Sequence, residues 1–380
     1  MLPKVIISSA GVFHAYHLAR GAQSGGYLHR FITSLYSRYE TGLDRSRVVQ
    51  IRLPAYLSRM MSALPGEYAR ALSYYFGDNL YDWLARRYAG DGDIFHFFNH
   101  QGLYSLRVAK RQGAITIVER SSAHPTYQHE LLFEEYARYG LRYPSVYRLL
   151  HDKHLVEYGE ADYIMVASEF VRRTMVEAGV PSEKLVRVHL GFDPTRFRPG
   201  EKRDDVFRVM YTGGLKLRKG IPYLLDAFSE LSLPNSELLL VGDSFPDARA
   251  FVPKHEGLFR HLRFVPQAEL VHHYQQASVF VLPSLEDGFG MVVYEAAACG
   301  IPIIVTENVG ATIRDGQDGF VVPIRDAEAL ARKLTYLYEH PRERIAIGRA
   351  ARDYVQQFTW ENYHRELVSH YGTIWDAREQ

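Results

Sequence analysis

The 380-residue chain lacks several features that mark particular classes of protein. Its single cysteine, Cys299, excludes an internal disulfide and a cysteine zinc cluster, which fits a reducing compartment. No uncharged apolar run approaches the roughly 18 residues of a membrane-spanning helix, and the N-terminal segment becomes polar too soon for a signal peptide. We therefore expect a soluble, cytoplasmic protein.

A surplus of charge of either sign is also missing. Lys and Arg together number 45 and Asp and Glu 44, so the formal net charge is +1 at pH 7. Without a global positive field, nucleic acid is not an expected partner, and any anion site must be local.

Aromatic residues, in contrast, are plentiful at 13%, and residues 54–88 combine them with several Arg in a helical pattern. A helix packed on its own core has this pattern, and so has a helix that lies on a membrane surface. A peripheral contact with the cytoplasmic face of a membrane therefore stays open as an alternative. The oligomeric state is not indicated.

The sequence does not favour two other classes of protein, dinucleotide-dependent oxidoreductases and metal-binding enzymes. No Gly-x-Gly-x-x-Gly is followed by an acidic residue about 20 positions later, which disfavours a dinucleotide-dependent oxidoreductase. Asp91-Gly-Asp93 has the spacing of a divalent-metal clamp, but it precedes a predicted buried strand. His96 and His100 lack an accompanying set of acidic ligands. We predict no metal and no cofactor.

Short β-branched runs alternate with longer helical patterns along the chain, which is typical of α/β proteins with doubly wound parallel sheets. The length favours two domains. The predicted strands cover residues 5–8, 48–53, 94–98, 115–118, 163–167, 186–190, 207–212, 238–241, 262–265, 279–282, 303–305 and 320–322.

A segment rich in Pro, Gly and charge, residues 191–205, is typical of a linker, so we place the domain boundary near residue 200. The predicted first domain covers residues 1–200 and is joined by a C-terminal helix at about 360–380. The predicted second domain covers residues 201–359.

The strongest motif lies within residues 279–305, where a buried strand, a Gly-containing turn, a helix and a second strand follow one another. Glycines in the turn let the backbone approach a ligand, and the free amides at the positive end of the helix dipole suit a diphosphate. The residues predicted to bind this anion are Gly288, Phe289, Gly290, Met291 and Val292.

Two carboxylates accompany this helix. Glu295 follows Asp287 by eight residues, which on a helix means about 12 Å of rise and roughly the same face. One carboxylate would then reach a sugar and the other a ribose. A surface pair that stabilises the helix dipole is the structural alternative.

A second motif, within residues 211–228, places a Gly-rich loop after a strand and before a helix. The loop contains Gly213 and Gly214, followed by the cations Lys216, Arg218 and Lys219. Cations and amides of this kind stabilise the charge that develops on a leaving diphosphate. Lys219 is the residue for which we predict a catalytic role.

These motifs resemble those of the retaining GT-B glycosyltransferases of family GT4. Asp287-Gly-Phe-Gly-x4-Glu295 is similar to the family's Glu-x7-Glu motif, with Asp in the first position. Lys219-Gly220 matches the family's Lys-Gly, whereas Gly214 stands where an Arg is expected. That Arg's role is then unfilled or passes to a neighbouring cation, Lys216 or Arg218.

The resemblance implies a GT-B fold, with two Rossmann-like doubly wound domains facing a cleft. It also implies that Asp287 lies near hydroxyls of the transferred sugar, that Glu295 binds the ribose, and that backbone groups at Val265 and Pro266 hold the nucleobase. Residues 315–323 resemble the family's C-terminal hairpin.

The first domain matches the family only loosely. His124 follows a predicted strand and has a ring that titrates near neutral pH, so contact with the donor sugar and an ordinary loop role are both open. Gly11 and His14 follow the first strand and are weaker candidates for acceptor binding.

By resemblance, the chain is expected to transfer a sugar from a UDP- or GDP-sugar to a glycan, lipid-linked or small-molecule acceptor in polysaccharide or glycoconjugate synthesis. The reaction would retain the anomeric configuration and need no metal, with the nucleotide sugar as co-substrate. A catalytically silent GT-B subunit, a UDP-sugar epimerase and a dinucleotide-dependent oxidoreductase are the alternatives. The sequence does not identify the base, the sugar or the acceptor.

Overall fold

A computed structural model describes residues 2–11, 14–36, 42–62 and 67–378. The chain divides into two compact units, each built around one sheet. Unit 1 comprises Met1–His129, Pro144–Leu190 and Trp360–Gln380, and unit 2 comprises Glu130–Tyr143 and Gly191–Thr359. The chain therefore enters unit 2 earlier than the boundary near residue 200, and a short internal segment of the expected first domain belongs to unit 2.

The described strands, in chain order, are β1 (Val5–Ser9), β2 (Leu28–Thr33), β3 (Val48–Gln50), β4 (Ile94–Phe98), β5 (Ile115–Arg120), β6 (Tyr163–Val166), β7 (Leu185–Arg187), β8 (Phe207–Thr212), β9 (Ser236–Val241), β10 (Arg260–Leu262), β11 (Val279–Leu282), β12 (Ile303–Thr306) and β13 (Gly319–Val322).

The described helices are α1 (Ala15–Ser24), α2 (Leu53–Ser62), α3 (Glu67–Ala85), α4 (Leu103–Arg111), α5 (Pro125–Arg138), α6 (Val146–Glu160), α7 (Glu169–Glu177), α8 (Ile221–Ser229), α9 (Gln267–Gln276), α10 (Met291–Ala298), α11 (Ala327–Glu339), α12 (Pro341–Val355) and α13 (Trp360–Asp376). Within the described ranges, no helix is both long enough and apolar enough to cross a bilayer.

The sheet of unit 1 has seven parallel strands in the order β3-β2-β1-β4-β5-β6-β7. Its central strands are buried on both faces, which explains their continuous apolar runs. The order reverses between β1 and β4, and ligands of open α/β sheets bind at the carboxyl ends of strands at such a switch point.

Strand β2 was not predicted from the sequence. It carries His29 and Arg30 in its middle, and both side chains bond Asp91, Arg30 through a two-contact ion pair. The backbone N–H of Lys4 donates to Asp93 over 2.7 Å. Asp91 thus binds strand β2, and Asp93 binds the backbone just before β1, so the two acids of the Asp-Gly-Asp sequence hold these two strands.

The sheet of unit 2 has six parallel strands in the order β10-β9-β8-β11-β12-β13, with its switch point between β8 and β11. Two predictions need correction. The strand predicted at residues 262–265 is observed as β10, which ends at Leu262, and Phe264 beyond its end is 79% exposed. Strand β13 pairs in parallel with β12, so residues 315–323 form no antiparallel hairpin.

Candidate functional site

Two loops meet at the switch point of unit 2, one after β8 and the other after β11. Gly220 has a φ of 64°, and a Cβ added to it would lie 1.8 Å from the carbonyl oxygen of Pro283. The N–H of Leu285 donates to the carbonyl of Arg218 over 2.9 Å. A glycine is therefore required where the loops touch, and its contact fixes the cations of one loop beside the carboxylates of the other.

The three cations of the first loop have different partners. Arg218 donates to the Glu286 carboxylate over 2.9 Å and to the Glu286 carbonyl over 3.2 Å, and this carboxylate is fully buried. Lys219 forms an ion pair with Asp287. Arg218 is thereby committed to holding the second loop in place.

Lys216 forms no ion pair within the part of the chain that the structure describes. Its ammonium group lies 4.6 Å from the centre of the Phe245 ring. Burial, followed by repulsion from Arg218 and Lys219, lowers the pKa of Lys216 to about 7. Among the described residues, this amine is therefore the one cation of the loop that has no carboxylate within ion-pair distance.

Phe245 also accounts for Gly214, the position at which an Arg was expected. A Cβ at Gly214 would lie 2.6 Å from the ring of Phe245. The aromatic ring fills the space that a side chain at position 214 would need. The ammonium group of Lys216 lies over the same ring.

Asp287 lies before α10 rather than on it. Its N–H donates to the Asn308 carbonyl over 3.0 Å, and its own carbonyl accepts from Gly310 over 2.8 Å. Burial opposes ionisation of Asp287, but the charges of Lys219 and Arg218 outweigh it and lower the pKa of the carboxyl. The prediction that Asp287 and Glu295 share a helix face is wrong, because the backbone of Asp287 follows a loop.

Glu295 does lie on α10 and is only 7% exposed. The hydroxyl of Tyr274 donates to it over 3.2 Å. Burial raises the pKa of Glu295 to about 7. The carboxyl therefore sits in the interior of unit 2 with a phenol as its neighbour.

The helix start agrees with the sequence pattern. Gly290 has a φ of 76° and directly precedes α10, and Gly300, with a φ of 82°, follows the helix. The Phe289 ring is buried edge-on against Tyr294, so only its backbone is available. That N–H bonds the Asp287 carboxylate, which couples the helix start to Lys219.

Val265 and Pro266 lie in the connection between β10 and α9, and Pro266 directly precedes the helix. Pro266 is exposed and Val265 is half-buried. The structure therefore places these two residues beyond a strand end, on a loop.

In unit 1, His124 directly precedes α5 and is 5% exposed. Its backbone N–H donates to the Thr174 hydroxyl over 3.0 Å. Burial, with repulsion from Arg120 and His151, lowers the pKa of His124 to about 4. The expectation of a ring that titrates near neutral pH is wrong, because desolvation keeps the imidazole neutral.

His14 belongs to a buried network. Its Nε2 lies 3.0 Å from one oxygen of Glu119, and His96 Nε2 lies 3.1 Å from the other. Nδ1 of His96 lies 2.8 Å from the hydroxyl of Tyr371 on α13. Burial opposes ionisation of Glu119, but its bonds to His14 and His96 lower the pKa to about 2. His14 is thus part of a network that is linked to the C-terminal helix through Glu119 and His96.

A cavity of about 480 Å³ lies at the switch point of unit 1. Its lining is mostly small or apolar, with a few polar groups among them. The lining residues are Ala10, Gly11, Ser34, Pro54, Ala55, Ser58, Tyr74, Gly77, Asp78, His100, Gln101 and Leu150. Of the two weak acceptor candidates, Gly11 lines this cavity and His14 does not.

The polar end of the cavity holds an acid and an imidazole. Oδ2 of Asp78 lies 2.6 Å from Nδ1 of His100. His100 has a φ of 58°, an unfavourable conformation for a non-glycine residue, and its N–H donates to the buried Glu157 over 2.5 Å. Such strain clusters at binding sites. Asp78 was missed in the sequence because nothing in a helical stretch marks one Asp as facing a cavity.

Residues 206–340 match the family described as Glycosyl transferases group 1. The chain is 30% identical over 228 residues to D-inositol 3-phosphate glycosyltransferase of Corynebacterium urealyticum, covering 52% of this chain and 54% of that one. The chain thus spans about half the length of this relative.

A second relative is the GDP-mannose-dependent alpha-(1-6)-phosphatidylinositol monomannoside mannosyltransferase of Mycolicibacterium smegmatis. It is 30% identical over 246 residues, covering 58% of this chain and 64% of that one.

Among solved structures, sucrose-phosphate synthase from Thermosynechococcus elongatus superposes with a TM-score of 0.76 at 20% identity, covering 98% of this chain and 99% of that one. The fold is thus GT-B, with two Rossmann-like units. Residues 206–340, which include the paired loops and the helix start of unit 2, are thus similar to the glycosyl transferases group 1 family.

Proposed function

We propose that this chain is a retaining glycosyltransferase that takes a sugar from a UDP- or GDP-sugar. The observation that carries the proposal is the paired loop at the switch point of unit 2. There Lys216, which has no ion-pair partner among the described residues, accompanies the Lys219–Asp287 ion pair. The names of the relatives, which include a GDP-mannose-dependent transferase, support a nucleotide-sugar donor.

In this proposal, Lys216 and the amides at the start of α10, from Gly290 to Val292, bind the diphosphate, since both offer positive charge to an anion. Lys219 neutralises the oxygen that becomes the leaving group. Arg218 positions the second loop through Glu286 and does not touch the donor.

The carboxylates have separate tasks. Asp287, held by Lys219, accepts hydrogen bonds from hydroxyls of the transferred sugar. Glu295 accepts from the ribose, and Val265 and Pro266 contact the base through their backbone. His124, neutral near pH 7, can act on the donor sugar only as a hydrogen-bonding group.

The acceptor is assigned to the cavity of unit 1, where Asp78 and His100 offer hydrogen-bonding partners for hydroxyl groups. The acceptor oxygen forms the new glycosidic bond at the anomeric carbon, and the bond from that carbon to the diphosphate breaks. The departing diphosphate takes the acceptor proton on the same face, so the configuration is retained. No metal is assigned to this step.

Titration calorimetry with UDP and GDP in the presence of EDTA tests the proposal. The wild-type chain is expected to bind at least one of them, and Lys219→Ala to bind it at least tenfold more weakly, because a charge-assisted contact contributes about 1.5–3 kcal/mol. Lys254→Met is the control, since Lys254 is an exposed cation elsewhere in unit 2.

Equal affinity of wild type and Lys219→Ala would remove Lys219 from the donor site. Binding of neither nucleotide would refute the proposed function. Phe245, which fills the space beside Gly214, supports a second candidate, a GT-B subunit that binds a nucleotide without turnover. That candidate predicts binding in calorimetry but no release of nucleotide from UDP- or GDP-sugars in the presence of membrane lipid extract.

A further inference from the structure

Helix α2 exposes the stripe that an amphipathic helix normally buries. Leu53, Tyr56, Leu57 and Met60 follow the spacing of one helical face, and they are 55%, 58%, 39% and 71% exposed. Four large apolar side chains on one exposed face form a patch of the kind that marks an interaction surface. We call these four residues the outer stripe.

The opposite face of α2 is fixed by close packing, so the outer stripe does not result from a loosely placed helix. The hydroxyl of Ser58 donates to the carbonyl of Ser73 on α3 over 2.9 Å. A Cβ at Gly77 would lie 1.9 Å from Ser58 Oγ, so the two helices touch through small residues. Pro54 and Ala55, on this inner side, line the cavity.

The charge around the outer stripe is positive. Arg52 precedes α2 and Arg59 lies within it, and both are exposed. No acidic residue occurs between positions 51 and 62. Apolar side chains flanked by arginines, without acids, are complementary to an anionic lipid surface, where the apolar groups enter the acyl boundary and the arginines meet the headgroups.

We propose that α2 docks unit 1 on an anionic lipid surface through the outer stripe. A lipid surface is favoured over a protein partner because the stripe is flanked by cations and has no acid among them, so that the complementary surface is anionic and apolar. The docking does not depend on the proposed function.

Sedimentation with vesicles tests the docking. The probes are vesicles of phosphatidylcholine alone and vesicles of phosphatidylcholine mixed with phosphatidylglycerol. Wild type is expected to sediment with the mixed vesicles, and more weakly as the salt concentration rises. Replacing both arginines, Arg52→Ala with Arg59→Ala, should lower the partition coefficient by about 30-fold, since each cation near the surface contributes about fivefold.

A second variant, Leu57→Ser with Met60→Ser, should lower the partition coefficient by tenfold or more, because two large side chains lose their apolar environment. Its matched control is Ile345→Ser, which removes a 53% exposed apolar side chain on α12. Arg349→Ala, also exposed on α12, is the control for the arginines. Both controls should sediment like wild type.

Failure to bind the mixed vesicles, or binding that the α2 variants do not weaken, would overturn the proposal. Calorimetry with UDP and GDP on the same α2 variants separates the two proposals, because the outer stripe lies in unit 1 and the nucleotide site in unit 2. Nucleotide binding without vesicle binding would refute the docking alone. Vesicle binding without nucleotide binding would refute the proposed transferase and leave the docking supported.

Discussion

The titration of Lys216 gives the sharpest test of the proposed diphosphate site. Its pKa is about 7 because the amine is buried beside Arg218 and Lys219. A bound diphosphate favours the charged amine. The pKa is lowered in the free protein, so the charge is present below pH 7 and is lost above it, and affinity must fall as the pH rises through 7.

The size of the effect follows from the protonated fraction. With a pKa of about 7, this fraction falls from one half at pH 7 to about one hundredth at pH 9, so affinity should fall about 50-fold over that range. The phosphates of the nucleotide ionise near pH 6 and contribute little in this window. Calorimetry with UDP or GDP at several pH values measures the change directly.

Three variants distinguish a pH dependence caused by Lys216 from one caused by other titrating groups. Lys216→Arg stays charged throughout and should bind at pH 9 about as well as at pH 7. Lys216→Met should bind weakly at both pH values, and the Lys254→Met control should behave like wild type. A 50-fold fall that persists in Lys216→Arg would refute the assignment and point to the amine of Lys219.

Two further predictions concern the stability of unit 2. Burial raises the pKa of Glu295 to about 7, so the folded state binds the extra proton and loses stability as the pH rises from about 4.5 to 7. Urea unfolding should show Glu295→Gln to be more stable than wild type at pH 8 by roughly 3 kcal/mol, with little difference at pH 4.5; equal stability at pH 8 would mean that the carboxyl is solvated. Gly220→Ala should destabilise unit 2 by about 2 kcal/mol or more in the same assay, because it combines a positive φ with a clash at the Pro283 carbonyl. Full retention of stability would show that the two loops do not touch.

The loop and helix that carry the candidate site of unit 2 could be predicted from the sequence because their signals are local. A strand followed by glycines and a helix predicts an anion site whatever the rest of the chain does, and Gly290 and Gly300 bound α10 as expected. The backbone position of Asp287 could not be predicted in this way. Its spacing from Glu295 fits a helix, but Asp287 lies in a loop that is held by a hydrogen bond to Asn308.

The cavity of unit 1 and the partners of the cations depend on residues distant in sequence. Asp78 and His100 come together because α3 packs beside the loop after β4, and no local pattern reports this. The exposure of the outer stripe is similar. Its spacing predicts an amphipathic helix, but periodicity alone does not show which face of α2 packs on α3.

The sequence by itself determined the α/β class, the alternation of strands and helices, and the Gly-rich loops with their cations, because these follow from local backbone preferences and apolar periodicity. Only the tertiary structure decided which cation of the loop forms no ion pair with the described residues. The ion pairs of Arg218 with Glu286 and of Lys219 with Asp287 each span 68 residues, and they form because β8 and β11 are neighbours in the sheet. The pairing of these two strands thus separates Lys216, to which we assign the diphosphate, from the two cations that form ion pairs.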